Sequence, residues 1–272
     1  MHDILVHLDA NEPDAPVAAY ALAFAARFGA NATVTGAAVT ELPAGYILEG
    51  GRVLVEDLQK RDRDRVSAAL ARFMEIARGR GVIAETVPLE GVVADLERST
   101  AQLGRHFDIS VIGQPKSGDG RMVLVESLLF ESGRPVLIVP YAYRQNDKLD
   151  TILVAWNGSR EGARAISGAM PLLAQAKTVQ VISIVEPKKR DAVDLPGFNI
   201  TRHLARKGVN AELKRITSDL DAGNTLLSHA ADEGADLLVM GAYGQSRWRE
   251  MLLGGATREI LTSMTLPVLM AH

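Results

Sequence analysis

Asp3-Ile4-Leu5-Val6-His7-Leu8-Asp9, near the start of the chain, returns as Thr151-Ile152-Leu153-Val154-Ala155-Trp156-Asn157. Each copy is a short apolar run closed by a polar residue, which is how a strand buried on both faces of a parallel sheet reads. The later strands repeat as well. A second strand over 33–39 recurs at 179–185, and a third over 82–87 recurs at 211–216. Ile109-Ser110-Val111-Ile112-Gly113 returns as Leu237-Leu238-Val239-Met240-Gly241, and Pro135-Val136-Leu137-Ile138 returns as Pro267-Val268-Leu269-Met270. Five strands recurring in one order mark a tandem duplication.

Helical stretches alternate with these strands. In the first half they cover 15–28, stopped by Gly29, then 55–78, 92–103 and 123–130. The fold class is therefore α/β, with two tandem five-stranded parallel sheets carrying helices on both faces, Rossmann-like. The expected domains are 1–140 and 151–272, joined by a polar linker at 141–150. Equivalent fifth strands, 135–139 and 267–271, would be apolar edges if left open, so they are expected to pair in an internal pseudo-dimer.

Composition narrows the function. Hydrophobic residues make up 47% and charged residues 23%, as in a globular chain rather than a disordered or coiled-coil one. Thirty basic against 33 acidic residues give a net charge of −3, so no bulk attraction to nucleic acid or an anionic membrane is expected. The chain has no cysteine, which excludes disulfides, thiolate metal sites and cysteine nucleophiles. The start lacks a basic signal region, and the longest apolar run, 17–26, is too short to span a bilayer. A cytoplasmic protein is expected.

The residues richest in chemistry are Met240-Gly241-Ala242-Tyr243-Gly244 and, nine residues on, Gly254-Gly255-Ala256-Thr257. They leave a buried strand, cross a loop and enter a helix. Glycine lets backbone approach a bulky anion, and a helix start offers unpaired N–H groups and a partial positive charge. Thr257 adds a hydroxyl. The stretch is neither GxxxxGK[ST] nor GxGxxG. The competing reading is structural: glycine after a parallel strand, then a tight helix start.

This pattern resembles the universal stress protein family in its tandem two-domain form. The family motif is G-x2-G-x9-G-[S/T] after the fourth strand. It reads here as Gly241, Gly244, Gly254, then Gly255 in place of Ser or Thr. The resemblance implies an adenine-nucleotide site in the second half, contacted by Ala155, Trp156, Asn157, Ile184, Met240, Gly241, Gly244, Gly254, Gly255, Ala256 and Thr257. The implied ligand is ATP, with ADP and AMP as alternatives and the need for magnesium open. Asn157 stands where the family usually has Asp, and Asp9 keeps that residue in the first half. A strand-to-helix turn with an N-cap explains Asn157-Gly158-Ser159 equally well.

The first half lacks the glycine loop. Gly113-Gln114-Pro115-Lys116 replaces GxxG, no glycine pair follows, and Glu126 near a helix start would repel phosphate. That half reads as a weak or non-binding partner domain, with Gly118 and Gly120 as turn residues. The six histidines form no HExxH pattern, so no metal site is expected. His7 reads as a hydrogen-bonded core histidine. The alternating charges of 59–65 read as a solvated helix face. Arg247 and Trp248 fall inside the glycine loop, where one suits a phosphate and the other a domain contact. No general base or nucleophile accompanies the loop, so recognition is expected rather than turnover, with slow hydrolysis at most. The alternatives are a non-nucleotide interaction module with an unidentified protein partner, and a slow nucleotide hydrolase. A homodimer is compatible with either.

Overall fold

The computed structural model describes residues 1–10, 16–37, 51–89, 93–116, 120–143, 148–184, 199–218, 221–244 and 255–272. The first half runs β1 (Asp3–Asp9), α1 (Pro16–Phe28), β2 (Asn31–Ala37), α2 (Gly51–Gly79), β3 (Ala84–Pro88), α3 (Val93–Gly104), β4 (Ile109–Gly113), α4 (Arg121–Glu131) and β5 (Val136–Val139). The second half runs β6 (Thr151–Ala155), α5 (Arg160–Leu173), β7 (Thr178–Ile184), α6 (Ile200–Arg206), β8 (Ala211–Ile216), α7 (Ala222–Asp232), β9 (Leu237–Gly241), α8 (Gly255–Ser263) and β10 (Val268–Ala271).

The strand order is β3-β2-β1-β4-β5-β10-β9-β6-β7-β8. Within each half every pairing is parallel, and the order reverses between the first and fourth strands of the repeat. Ligands in open α/β sheets bind at that reversal, beyond the carboxyl ends of the strands. The two five-stranded sheets are continuous. β5 pairs antiparallel with β10, Leu137 opposite Leu269, which makes a single ten-stranded sheet. The apolar edges expected at the fifth strands are thereby covered by each other.

The central strands β1, β4, β5, β6, β9 and β10 are buried on both faces because helices cover both sides of the sheet, whereas the edge strands β3 and β8 are partly exposed. Ile4, Val6, Ile152 and Val154 pack with α1, α2 and α5 residues such as Leu22, Phe73 and Leu172. Ile112, Leu153 and Leu238 pack on the other face with Leu128 of α4 and Ile260 of α8. Both cores run through both halves. A close approach marks the joint. A Cβ on Gly168 of α5 would stand 2.9 Å from the Pro135 ring, so helix and strand entry touch where only hydrogen fits.

Several boundaries differ from the sequence expectation. β2 begins at Asn31 because its ladder with β1 starts at Asp3. β6 ends at Ala155, which leaves Asn157 in the turn. α4 starts earlier, at Arg121, after Gly120 at φ 72°, a left-handed N-cap that suits glycine. Gly118 and Val39 lie outside the described residues.

Candidate nucleotide site

The carboxyl ends of β6 and β9 and the first turns of α5 and α8 converge in the second half. Ser159 caps α5: its Oγ accepts the Gly162 N–H at 3.0 Å. Asn157 Oδ1 accepts the Ser159 N–H at 3.1 Å, so its oxygen organises the turn and its NH2 is left for solvent or a ligand. The turn reading of this segment therefore holds, and Asn157 is exposed. Ala155 and Trp156 are half-buried, as is Ile184 at the end of β7. Trp156 donates its backbone N–H to the Ile182 carbonyl at 2.8 Å, while its indole Nε1 is buried with no hydrogen-bond partner.

The two glycines after β9 have specific neighbours. A Cβ on Gly241 would lie 2.5 Å from the Gly162 nitrogen and 2.7 Å from the Glu161 carbonyl carbon. The first turn of α5 thus presses its backbone against the end of β9. A Cβ on Gly244 would lie 3.0 Å from Glu161 Oε2 and 3.5 Å from Ser159 Oγ. What these glycines accommodate among the described residues is the first turn of the protein's own helix α5. Met240 is buried beneath them.

Tyr243, between the glycines, has φ 59°, a left-handed conformation uncommon for a non-glycine residue. Its N–H donates to Thr257 Oγ1 at 3.2 Å. This bond ties the turn after β9 to the first turn of α8. Thr257 is buried, so its hydroxyl closes the loop from inside instead of projecting as a surface donor. Gly255 is exposed, and among the described residues a Cβ there would meet nothing within 4 Å. The first-turn N–H groups of α8 have no partner within the helix itself. Gly254, Arg247 and Trp248 lie outside the described residues.

Glu161 is the residue that motif reading missed. It occupies the first turn of α5 and is 2% exposed. Its Oε1 accepts from the Arg160 Nε, and Oε2 turns toward Gly244. Burial raises its pKa. Hydrogen bonds from Arg160 and from its own N–H, with the charges of Arg160 and His272, more than offset that and hold the carboxyl below the ordinary glutamate value.

The loop also reaches the first half. The Tyr243 hydroxyl donates to Glu126 Oε1 at 3.2 Å, and its ring packs against Phe130. Burial, then the Glu126 charge and hydrogen bond, raise the Tyr243 pKa. Glu126 thus sits midway along α4 and holds a tyrosine, rather than standing near a helix start to repel phosphate. Gln114, at the position of GxxG in the first half, is buried. Its NH2 donates to the carbonyls of Leu261 (3.0 Å) and Thr262 (3.1 Å) near the end of α8. In the first half itself, Arg121 reaches Asp9 at 3.5 Å. His7 is buried but its Nδ1 has no partner, so the expectation of a hydrogen-bonded core histidine fails at that nitrogen. Among the described residues no cluster of three His, Asp or Glu could hold a metal, and no helix is long and apolar enough to cross a membrane.

The universal stress protein family model matches residues 148–272. The chain is 35% identical over 74 residues to the universal stress protein YxiE of Bacillus subtilis, and 23% identical over 169 residues to the universal stress protein Slr1230 of Synechocystis sp.. These matches span 27% and 60% of this chain, and 49% and 57% of the relatives' own lengths. The crystal structure of a universal stress protein from Archaeoglobus fulgidus superposes over 99% of this chain and 97% of its own, with a TM-score of 0.70 at 18% identity, a likeness of fold. Residues 148–272 thus match the universal stress protein family, and the whole chain shares its fold with that solved structure, the first half repeating the strand succession of the second.

Proposed function

We propose that the second half binds an adenine nucleotide, ATP or its di- or monophosphate, and that the protein acts in stress response by recognition rather than turnover. The observation that carries this is the Tyr243 N–H···Thr257 Oγ1 bond, which ties the turn after β9 to the first turn of α8, where Gly255 is exposed. The residues fit such a ligand in three respects. The first-turn N–H groups of α8 suit phosphate. The Asn157 NH2 suits a ribose or base acceptor. The partnerless Trp156 Nε1 is a buried donor that a ligand acceptor would satisfy. The domains follow the repeat, 1–140 and 151–272 with the linker between them, and the compartment is the cytoplasm.

One observation favours a second reading, an interaction module without nucleotide: Gly241 is explained by its contact with α5 alone. Ligand release from freshly purified protein, read by mass spectrometry, separates the two. A thermal melt provides the equilibrium test. Ligand at about 100 times its Kd adds roughly 2.7 kcal/mol, which is several degrees in Tm at about 2–4 °C per kcal/mol. The Gly254→Asp variant, with an added charge at the helix start, should lose that shift. No shift with ATP, ADP, AMP or GTP in ligand-free protein would favour the second reading.

A further inference from the structure

We infer that the first half positions the turn after β9: Glu126 of α4 is a positioning residue for Ala242-Tyr243-Gly244, and the ligand affinity of the second half depends on it. The effect on ligand rests on the nucleotide-binding reading; the contact between the halves does not. Both halves leave their fourth strands in the same way. Gln114 donates its N–H to the Val139 carbonyl at 2.8 Å, and Ala242 donates its N–H to the Ala271 carbonyl at 2.9 Å, so each turn closes onto the fifth strand of its own half. Beyond that bond each turn reaches for the other half. The Gln114 amide donates to the Leu261 and Thr262 carbonyls of α8 and accepts the Tyr141 N–H at 3.3 Å. The Tyr243 hydroxyl donates to Glu126 Oε1 of α4. The turns are fastened crosswise, each to the helix that precedes the other half's fifth strand.

The second-half turn depends more on this fastening. Pro115 occupies the first-half position that matches Tyr243, and its ring fixes φ without outside help. Tyr243 stands at φ 59°, where a residue with a Cβ is disfavoured and stays only if its surroundings hold it. The N–H bond to Thr257 holds it from α8. Glu126 and Phe130, four residues apart on one face of α4, hold it from the first half. Phe130 stacks its ring 5.0 Å from that of Tyr243 and 4.5 Å from that of His272, whose Nδ1 lies 3.1 Å from the Ala242 carbonyl. Burial and the Glu126 charge raise the Tyr243 pKa, so the hydroxyl keeps its proton and remains a donor. Releasing it lets the backbone relax toward negative φ and carry Gly244 with it.

Amide hydrogen exchange in ligand-free protein tests the fastening, and calorimetric titration with ATP, ADP and AMP tests its effect on ligand. Glu126→Ala and Tyr243→Phe should each speed exchange of the Tyr243 N–H by roughly fivefold, the worth of one hydrogen bond, and leave the Val239 N–H within β9 unchanged. Each should weaken nucleotide binding by about the same factor, and the double variant by no more than either alone. Thr33→Val cuts the Thr33–Glu85 bond at the far edge of the first-half sheet and should bind nucleotide like the wild type. Unchanged exchange at Tyr243 in both variants overturns the positioning role. Faster exchange with unchanged affinity overturns its effect on ligand and leaves the nucleotide reading standing. A wild type that binds none of the three nucleotides, with exchange accelerated as expected in the variants, upholds the positioning role and overturns the nucleotide reading.

Discussion

In the first half, a Cβ added to Gly113 at the end of β4 would meet side-chain ends, Val17 Cγ2 at 3.1 Å and the Arg121 Nη1 at 3.2 Å. In the second half, the same addition at Gly241 would meet main chain, the Gly162 nitrogen at 2.5 Å. The duplicated scaffold therefore needs glycine at both positions for different reasons. The charges nearby are reversed too. A buried arginine paired with Asp9 stands over the first-half strand ends, and a buried glutamate stands over those of the second half. Where the first half has no glycine pair, the guanidinium of Arg121 extends across that end of the sheet, between Asp9 and Gly113. A glycine motif alone therefore does not reveal the charge of the space it lines.

The largest effect should come from testing main chain against side chain directly. Gly241→Ala should cost about 3 kcal/mol, since backbone cannot yield locally, whereas Gly113→Ala should cost about 1 kcal/mol, because Val17 and Arg121 can shift. Urea denaturation of both variants provides the measurement, and equal losses would break the contrast.

A second difference lies one layer in. His7 pairs in register with Thr35, and both carry buried polar atoms without partners. The matching Ala155 pairs with Ile182, which is apolar. Burial, with a smaller effect from the Arg121 charge, pushes the His7 pKa down to about 4 from its ordinary 6.5. The unfolded chain therefore takes up this proton more readily than the folded one. The folded state keeps its full stability above pH 6.5 and loses it as pH falls toward 4, by about 2 kcal/mol at pH 5. His7→Ala, which copies the second half, should flatten that part of the stability-against-pH curve. An unchanged slope would assign the acid sensitivity to other groups.

The smallest expected effect concerns the bond between the halves. Tyr243→Phe should cost about 1 kcal/mol by removing the hydroxyl from Glu126. A double-mutant cycle with Glu126→Gln should show the two losses to be non-additive. Full additivity would mean the hydroxyl and the carboxylate do not act on each other in solution.

The succession of strands along the chain was legible from Ile4-Leu5-Val6 and Ile152-Leu153-Val154 onward because parallel strands covered on both faces leave an apolar run that little else produces, while their order within the sheet was not. The end of β9 at Gly241 and the start of α8 near Gly255 were legible, since glycines mark both in the sequence. What escaped was every contact between distant segments. Nothing in Ser159-Arg160-Glu161 distinguishes a buried carboxylate from an ordinary first-turn acid, because burial depends on β9, about 80 residues further on. The Glu126–Tyr243 bond and the Gln114 contacts with α8 cross between the halves, where local pattern carries no information. His7 misled because a strand position indicates burial but not whether a partner is present.

The antiparallel joint between β5 and β10 has a consequence for mass action. Two separate subunits meeting through their fifth strands would come apart on dilution, and a change in their gene would alter both sites at once. Here one chain carries both strands, so the pairing is unimolecular and protein concentration drops out of its equilibrium. Each half can then change sequence without its counterpart. Asp9 with Arg121 on one side and Asn157 with Glu161 on the other are an asymmetry that an assembly of two identical chains could not encode.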